Sequence, residues 1–463
     1  MSVQSPSTAQ YAFERSYPSR GTVQSVFDEQ DLHRAIEAYR FFYPTVSAEA
    51  LFVGGVEAGI EPGKKMMKLA AGPQHLIFTA NSDTPYASGG LDLEEMGPVV
   101  IDVPAGPFIA LVNDHHQRWI MDMGIPGPDA GKGGKYLVLP PTFRGKVPAG
   151  FHVASALTNK ILVGVRAMPI GGDQAAALKA IEGVKVYPLA KPDHALVYDD
   201  VTNRAIDTTP LRWEDNIGYW ETLHAVIDGE PVLEEFRPMY GMLAALGIAK
   251  GKPFTPNART RRILETASRI ALDQMRVEAF ANGRPDCIVW KDRKWEWVGL
   301  IPDDGDFETK EFLDIQARDR WFVQAVVASP AMFRRKVGSG SVYFLAARDR
   351  DGAYLDGARA YRINVPQPVP AKLFWSVTAY DARTRSQVQA PQNKAVLGSL
   401  RDQFEPNAGG SVDLFLGPST PSGKEKQWIQ TAPGTGVFLY FRIYGPEAPS
   451  LDGSWKVGDV TPL

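Results

Sequence analysis

Val99-Val100-Ile101-Asp102-Val103, Phe108-Ile109-Ala110-Leu111-Val112, Trp119-Ile120-Met121-Asp122-Met123 and Lys135-Tyr136-Leu137-Val138-Leu139 follow one another between positions 99 and 139. Each run is short and apolar, and Pro, Gly, Asn and Asp separate them. That punctuation predicts antiparallel strands rather than alternating βαβ units. The pattern extends outward, with strands expected at His75–Thr79, Phe151–Ala154, Lys160–Ala167 and Val184–Leu189. A short helix fits Asp173 to Gly183.

Upstream the period changes. Leu32, Ile36, Tyr39, Phe42 and Tyr43 recur at three- and four-residue steps, which predicts a helix from Asp28 to about Ile60 with Asp28 or Asp31 as its cap. Residues 1–27 read as an N-terminal arm. Residues 201–337 form a helical linker region. Its best helix starts at Asn257, carries the stripe Ile263, Leu264, Ala267, Ile270, Ala271, Met275 and Ala279, and stops at Gly283. A second helix is expected from Glu308 to Val327. Strands return at Val342–Ala347, Ala360–Val365, Leu373–Tyr380, Val412–Leu416 and Val437–Tyr444. The fold class is therefore mainly β with a helical middle. Two antiparallel β-sandwich or jelly-roll-like domains, residues 28–200 and 338–463, are joined by α-helices.

Composition narrows the function classes. At 463 residues the chain exceeds one ordinary core, and its net charge of −3 carries no electrostatic footprint for nucleic acid or an anionic membrane. Cys287 is the single cysteine, so no intramolecular disulfide and no cysteine-based zinc or iron–sulfur site can form. No run is long and apolar enough to span a bilayer, and the first twenty residues lack an apolar signal core, so the chain reads as cytoplasmic.

Several spaced motifs agree in order with a known pair of regions. Asn81-x-Asp83-Thr84-x-Tyr86, Leu91-Asp92-Leu93, Gly97-Pro98-Val99-Val100 and Val103-Pro104 resemble the domain-of-unknown-function family 1254. Gly127 to Tyr136 with Leu139-Pro140-Pro141 is similar to a longer-loop subgroup of it. Trp428, Ala432-Pro433-Gly434, Arg442-x-Tyr444-x-Pro446 and Asp452-Gly453-x-Trp455 resemble its companion, family 1214. The resemblance implies two β domains with helical connections and a homo-oligomer. It implies no catalytic mechanism.

Polar residues concentrate between Thr79 and Pro141, and function is often carried on such loops. Asn81 and Thr84 suit turn stabilisation after a strand, whereas Asp83 and Tyr86 can also orient a substrate or move a proton. If the strand from Phe108 continues, Asp114, His116 and Arg118 share one face and His115, Gln117 and Trp119 the other. Asp114 then fixes the tautomer of His116 while Arg118 holds an anionic group. Adjacent histidines point apart, so a zinc ion needs Asp114 and His116 plus His75, His152 or His224, and no ligand spacing supports one. The loop Gly124 to Lys135 fails the phosphate-loop spacing, although its backbone and Lys132 can still meet an anion. Asp349-Arg350-Asp351-Gly352 fails the calcium-loop template.

The expected site thus comprises Asp83, Asp114, His116 and Arg118 as catalytic residues, with Asn81, Thr84, Tyr86, Gln117 and Lys132 binding substrate. No metal or cofactor is expected. Two readings stay open: a small-molecule enzyme of hydrolytic or acid–base chemistry in the N-terminal β domain, and a non-catalytic ligand-binding or assembly protein. The His, Asp and Arg in one short segment favour the first.

Overall fold

The computed structural model describes residues 11–300, 305–338 and 340–463; residues 1–10 of the expected arm lie outside the described residues. Helix α1 (Arg20–Glu57) starts earlier than Asp28, because Ser19 is the cap and its hydroxyl accepts from the Thr22 N–H at 3.3 Å. Asp28 and Asp31 instead hold Arg259, at 2.5 and 2.8 Å. From Ala35 onward α1 is largely buried, and Gly59 at φ +94° lies just past its end.

Two main sheets of the N-terminal half are built from β1 (Lys65–Leu69), β2 (Tyr86–Asp92), β3 (Val99–Val103), β4 (Phe108–Asp114), β5 (Trp119–Gly124), β6 (Gly134–Leu139), β7 (His152–Ser155), β8 (Lys160–Ala167), β9 (Lys185–Pro188) and β10 (Val197–Asp200). They form a six-stranded sheet in the order β10-β1-β2-β8-β4-β5 and a four-stranded sheet in the order β7-β6-β3-β9. Strand alternation sorts the large sheet's side chains onto two faces. Ala87, Ala110, Val112, Ile161, Val163 and Val165 pack in one core with Val99, Ile101, Tyr136 and Val186 of the small sheet. Met67, Tyr86, Ile109, Leu111, Leu162 and Arg166 look the other way, toward the C-terminal half.

Strands β1, β2 and β10 escaped the sequence reading. In β2 the reason is Gly89-Gly90, which weakens any strand signal. The glycine is there because α1 lies against the sheet: a Cβ on Gly90 would sit 2.4 Å from Phe52 Cδ1.

The middle contributes α3 (Gly218–Gly229), α4 (Arg237–Ala245), α5 (Ala258–Phe280) and α6 (Ile315–Phe322), with α2 (Gln174–Ala180) before them. Asn257 caps α5 as its spacing predicts, but the helix ends at Phe280, ahead of Gly283. The helix expected over 308–327 shrinks to α6. Glu308 bridges Leu313 across a turn, Asp314 caps the start, and Val327 takes φ +56°. Residues 323–329 are thereby left as an irregular segment.

The C-terminal half holds β11 (Ser341–Ala346), β12 (Tyr361–Val365), β13 (Ala371–Asp381), β14 (Val396–Gly398), β15 (Val412–Gly417), β16 (Trp428–Gln430) and β17 (Val437–Pro446). Residues 296–297 extend one sheet, β11-β17-β13-β14, and residues 461–462 extend the other, β16-β15-β12. Leu439, Phe441 and Ile443 of β17 enter the core between them. Tyr440, Arg442 and Tyr444 alternate onto the opposite face, toward the N-terminal half. The fold is thus several mostly antiparallel sheets with helices between. The pairs β6–β7, β1–β10 and β15–β16 are parallel, a departure from purely antiparallel pairing. Among the described residues no helix is long and apolar enough to cross a membrane.

Candidate functional site

The two inward-looking faces enclose a cavity of about 200 Å³. Its floor is the six-stranded sheet, through Met67, Leu69, Ile109, Leu111 and Leu162. The C-terminal sheet forms the opposite wall with Tyr343, Tyr440, Arg442 and Tyr444. Leu51 of α1 and the segment Ala325–Ser329 close it further. Most of the lining is apolar, with a few convergent polar groups, as ligand sites usually are. Residues of the C-terminal half therefore line this cavity together with those of the N-terminal half.

The polar end contains two arginines. Arg442 donates to Thr378 Oγ1 at 2.9 Å, to the Thr79 carbonyl at 3.1 Å and to the Tyr380 hydroxyl at 2.7 Å, all neutral acceptors. Arg166 lies over the Tyr86 ring, 4.7 Å from its centre. Among the described residues it forms no hydrogen bond and no ion pair. Burial opposes the charge of Arg166 while the phenols of Tyr86, Tyr343 and Tyr444 favour it, and the group stays a cation. Tyr444 accepts from the Asn81 amide and stacks on Phe374 at 4.1 Å. Elsewhere in the lining is Asp122, whose carboxyl burial pushes up to about 6.

The expected residues divide. Asn81, Thr84 and Tyr86 line the cavity. Asn81 also shapes the preceding turn, its Oδ1 accepting from the Asp83 N–H at 2.7 Å. Asp83 lies behind the wall, where its carboxylate accepts from Ser376 and faces Arg401 at 3.8 Å.

Asp114, His116, Arg118 and Gln117 do not share a strand face, because β4 ends at Asp114 and a tight turn follows with Gln117 at φ +60°. One oxygen of Asp114 accepts from the backbone N–H of His116 at 2.8 Å and of Arg118 at 2.9 Å. It stabilises the turn and does not orient the imidazole. His116 Nδ1 meets Thr45 Oγ1 at 2.8 Å, and burial among Phe42 and Phe236 pushes its pKa well down, so it is neutral. Arg118 reaches outward to Glu235. Gln117 joins the Pro44 carbonyl at 2.8 Å to the Val327 N–H at 2.6 Å, bracing the segment over the cavity. Lys132 is exposed on the glycine-rich loop and is not part of the cavity lining. Asp129 closes that loop on itself by accepting from Gly124 and Gly133.

Other polar candidates are structural. His115 sits between Glu230 at 2.7 Å and Glu49 at 2.9 Å. His75 Nδ1 accepts from the Gly72 N–H, which leaves Nε2–H to donate to the Thr202 carbonyl at 3.0 Å. Cys287 is buried in a single 3₁₀ turn, and burial raises its thiol to about 11, away from thiolate chemistry. Asp349 accepts from Asp351 and Ala353 within its own turn. Among the described residues no group of three or more His, Cys, Asp or Glu comes together as a metal set.

Arg166 had no place in the sequence reading, and Arg442 entered it only as part of a family motif, not as a site residue. The available signal was one charged residue inside an apolar strand, in Ile161-Leu162-Val163-Gly164-Val165-Arg166 and in Phe438-Leu439-Tyr440-Phe441-Arg442-Ile443.

Residues 65–188 match the family described as "Protein of unknown function (DUF1254)", and residues 340–448 match "Protein of unknown function (DUF1214)". No curated protein matches the chain. Among solved structures, the VPA0106 protein of Vibrio parahaemolyticus is similar with a TM-score of 0.56 at 16% identity, over 94% of this chain and 100% of that one. An uncharacterised protein of Burkholderia cenocepacia gives a TM-score of 0.41 at 14% identity, over 96% and 97% of the two chains.

Proposed function

From the premise that the chain belongs to the proteins combining the DUF1254 and DUF1214 regions, we propose that it binds a small, mainly apolar molecule in the cavity between its two β halves. The observation that carries this reading is the cavity itself: two sheets from distant parts of the chain turn mostly apolar faces toward one shared space. Sheet faces normally pack against one another. A space of about 200 Å³ left between them is suited to an occupant.

Calorimetric titration with uncharged aromatic and alkyl compounds tests it, using Gly164→Leu as the blocked control. A Cβ at Gly164 lies 3.8 Å from Leu111, so the longer side chain extends into the cavity. Binding by wild type and its loss in Gly164→Leu are expected. Equal binding by both would place the ligand elsewhere and end the proposal.

A second reading, acid–base chemistry on the bound molecule, is favoured by Asp122. Its carboxyl lines the same cavity and titrates at about 6, close to neutrality, where a general acid or base works well. Asp122→Asn should then abolish turnover of a converted ligand while leaving its binding intact. Turnover that survives the substitution would remove this reading. Each pair of sheets sharing a core is read here as a β-sandwich, and the protein as a cytoplasmic homo-oligomer without a cofactor. Light scattering at two concentrations checks the assembly.

A further inference from the structure

We propose that the ligand is a small monocarboxylate with an apolar body, its anionic end held by Arg166; this rests on the cavity being a binding site. A guanidinium in an apolar surrounding normally has a carboxylate partner, because an uncompensated buried charge is costly. Among the buried arginines, Arg385 pairs with Glu214 at 2.5 Å and Arg320 with Glu296 at 2.8 Å, whereas Arg318 and Arg442 meet neutral oxygens. Arg166, half-buried at the cavity wall, has neither.

Arg442 at least satisfies its donors on a carbonyl and two hydroxyls. Arg166 has only a π face beneath it. Position explains why it stays extended into the cavity. It lies directly across from Tyr86 in the sheet register, on the strand face that looks away from the N-terminal core. The carboxylates nearby are committed elsewhere. Asp83 is behind the wall on Ser376, and Asp122 sits beside Ser329 and Trp119, where the nearby cation is Arg334. The cavity therefore has a cationic end and an apolar remainder, the complement of a carboxylate on a hydrocarbon.

Size limits the body. A cavity of 150 Å³ takes benzene, so about 200 Å³ takes roughly eight non-hydrogen atoms. Hexanoate and benzoate are of that size. A guanidinium can meet a carboxylate through two parallel N–H bonds, which neither an alcohol nor an ester can accept in full.

The test is calorimetric titration of the full chain with hexanoate, methyl hexanoate, hexan-1-ol and hexylammonium. Wild type should bind hexanoate roughly ten- to a hundredfold more tightly than hexan-1-ol, and hexylammonium least. Arg166→Met should bring hexanoate down to the level of the alcohol without weakening the alcohol, and Arg166→Lys should restore part of the difference. Equal affinity for acid, ester and alcohol in wild type overturns the carboxylate and leaves the apolar binding site standing. If none of the four binds, the binding-site reading falls with it. Wild-type discrimination alone decides the matter should Arg166→Met fail to fold.

Discussion

The Arg166 guanidinium lies 4.7 Å from the centre of the Tyr86 ring, on adjacent strands and in direct register. This contact joins the end of the polar Asn81–Tyr86 turn, at the cavity, to a cation that has no other partner among the described residues. It holds the half-buried guanidinium by an attraction of about 1–2 kcal/mol. The Tyr86 hydroxyl meanwhile accepts from the Asn81 N–H at 3.1 Å, so one side chain supports both the turn and the arginine.

Substitutions at Tyr86 should separate those two roles. Tyr86→Phe keeps the ring and strands one N–H, at a cost of about 1 kcal/mol. Tyr86→Leu loses the ring as well, and urea unfolding should show roughly 1–2 kcal/mol more. Equal costs for both variants would mean that the ring does not stabilise Arg166.

Gly90 and Gly164 lie on neighbouring strands, β2 and β8, in different surroundings. A Cβ on Gly90 meets Phe52 at 2.4 Å, whereas one on Gly164 meets only Leu111 at 3.8 Å. Gly90→Ala should cost about 1–3 kcal/mol by overpacking α1 against the sheet. Gly164→Ala should be neutral or stabilising by about 0.5 kcal/mol through reduced chain entropy. Thermal melts of the two variants check this, and a Gly90→Ala protein as stable as wild type would contradict the packing described.

What could be read from the sequence follows from how local each signal is. Strand β8 was legible to the residue, because Lys160–Ala167 is an apolar run between turns. Strand β2 was not, since its glycines answer to Phe52 from a distant helix. The same holds within the site. The Asn81–Tyr86 turn was visible as clustered polar residues. The Asp114–Arg118 segment looked like a strand face because periodicity carries no mark for the point at which a ladder ends and a turn begins. Arg166 was hidden by its apolar neighbours, and Arg442 showed only as a motif residue with no role attached. Which face of a strand meets a second sheet, with a gap between, depends on contacts between distant parts of the chain, such as Asn81 with Tyr444.

His115 gives the fold a pH dependence with a definite sign. Burial pulls its pKa down, but the hydrogen bonds to Glu230 and Glu49 and their charges raise it above the ordinary value. A group whose folded pKa is raised stabilises the protein fully below its unfolded value, near 6.5, and loses that contribution as pH rises through the folded value. Glu49 is held below the usual carboxylate range: burial works against this, and His115 and Lys160 outweigh it. Its contribution is present above the ordinary carboxylate pKa and is lost as pH falls through the folded one. Stability should therefore decline on the alkaline side of about pH 6.5 in wild type, and less so in His115→Gln. Urea midpoints between about pH 6 and about pH 9 measure it. A wild-type curve parallel to that of His115→Gln across this range would show that His115 is not charged in the folded protein.

Glu214 and Arg385 connect the helical middle to the C-terminal half beneath the same cavity cover. Both carboxylate oxygens are engaged, at 3.1 and 2.5 Å, Tyr43 of α1 adds a hydrogen bond at 3.0 Å, and Arg385 Nε donates to the Val323 carbonyl at 3.0 Å. Removing one member leaves the other charge buried and uncompensated, so Glu214→Gln should cost about 3–5 kcal/mol. Combining it with Arg385→Met removes the stranded cation, and the double variant should be less destabilised than the sum of the single ones. A double-mutant cycle by urea unfolding measures the difference, and strict additivity would refute the pairing. Because Arg385 holds Val323 at the start of the segment that runs through Val327 to Ser329, Glu214→Gln should also speed release of any cavity ligand. An unchanged dissociation rate in a folded Glu214→Gln protein would show that Gln117, Asn113, Thr79 and Trp321 hold the cover without help from Arg385.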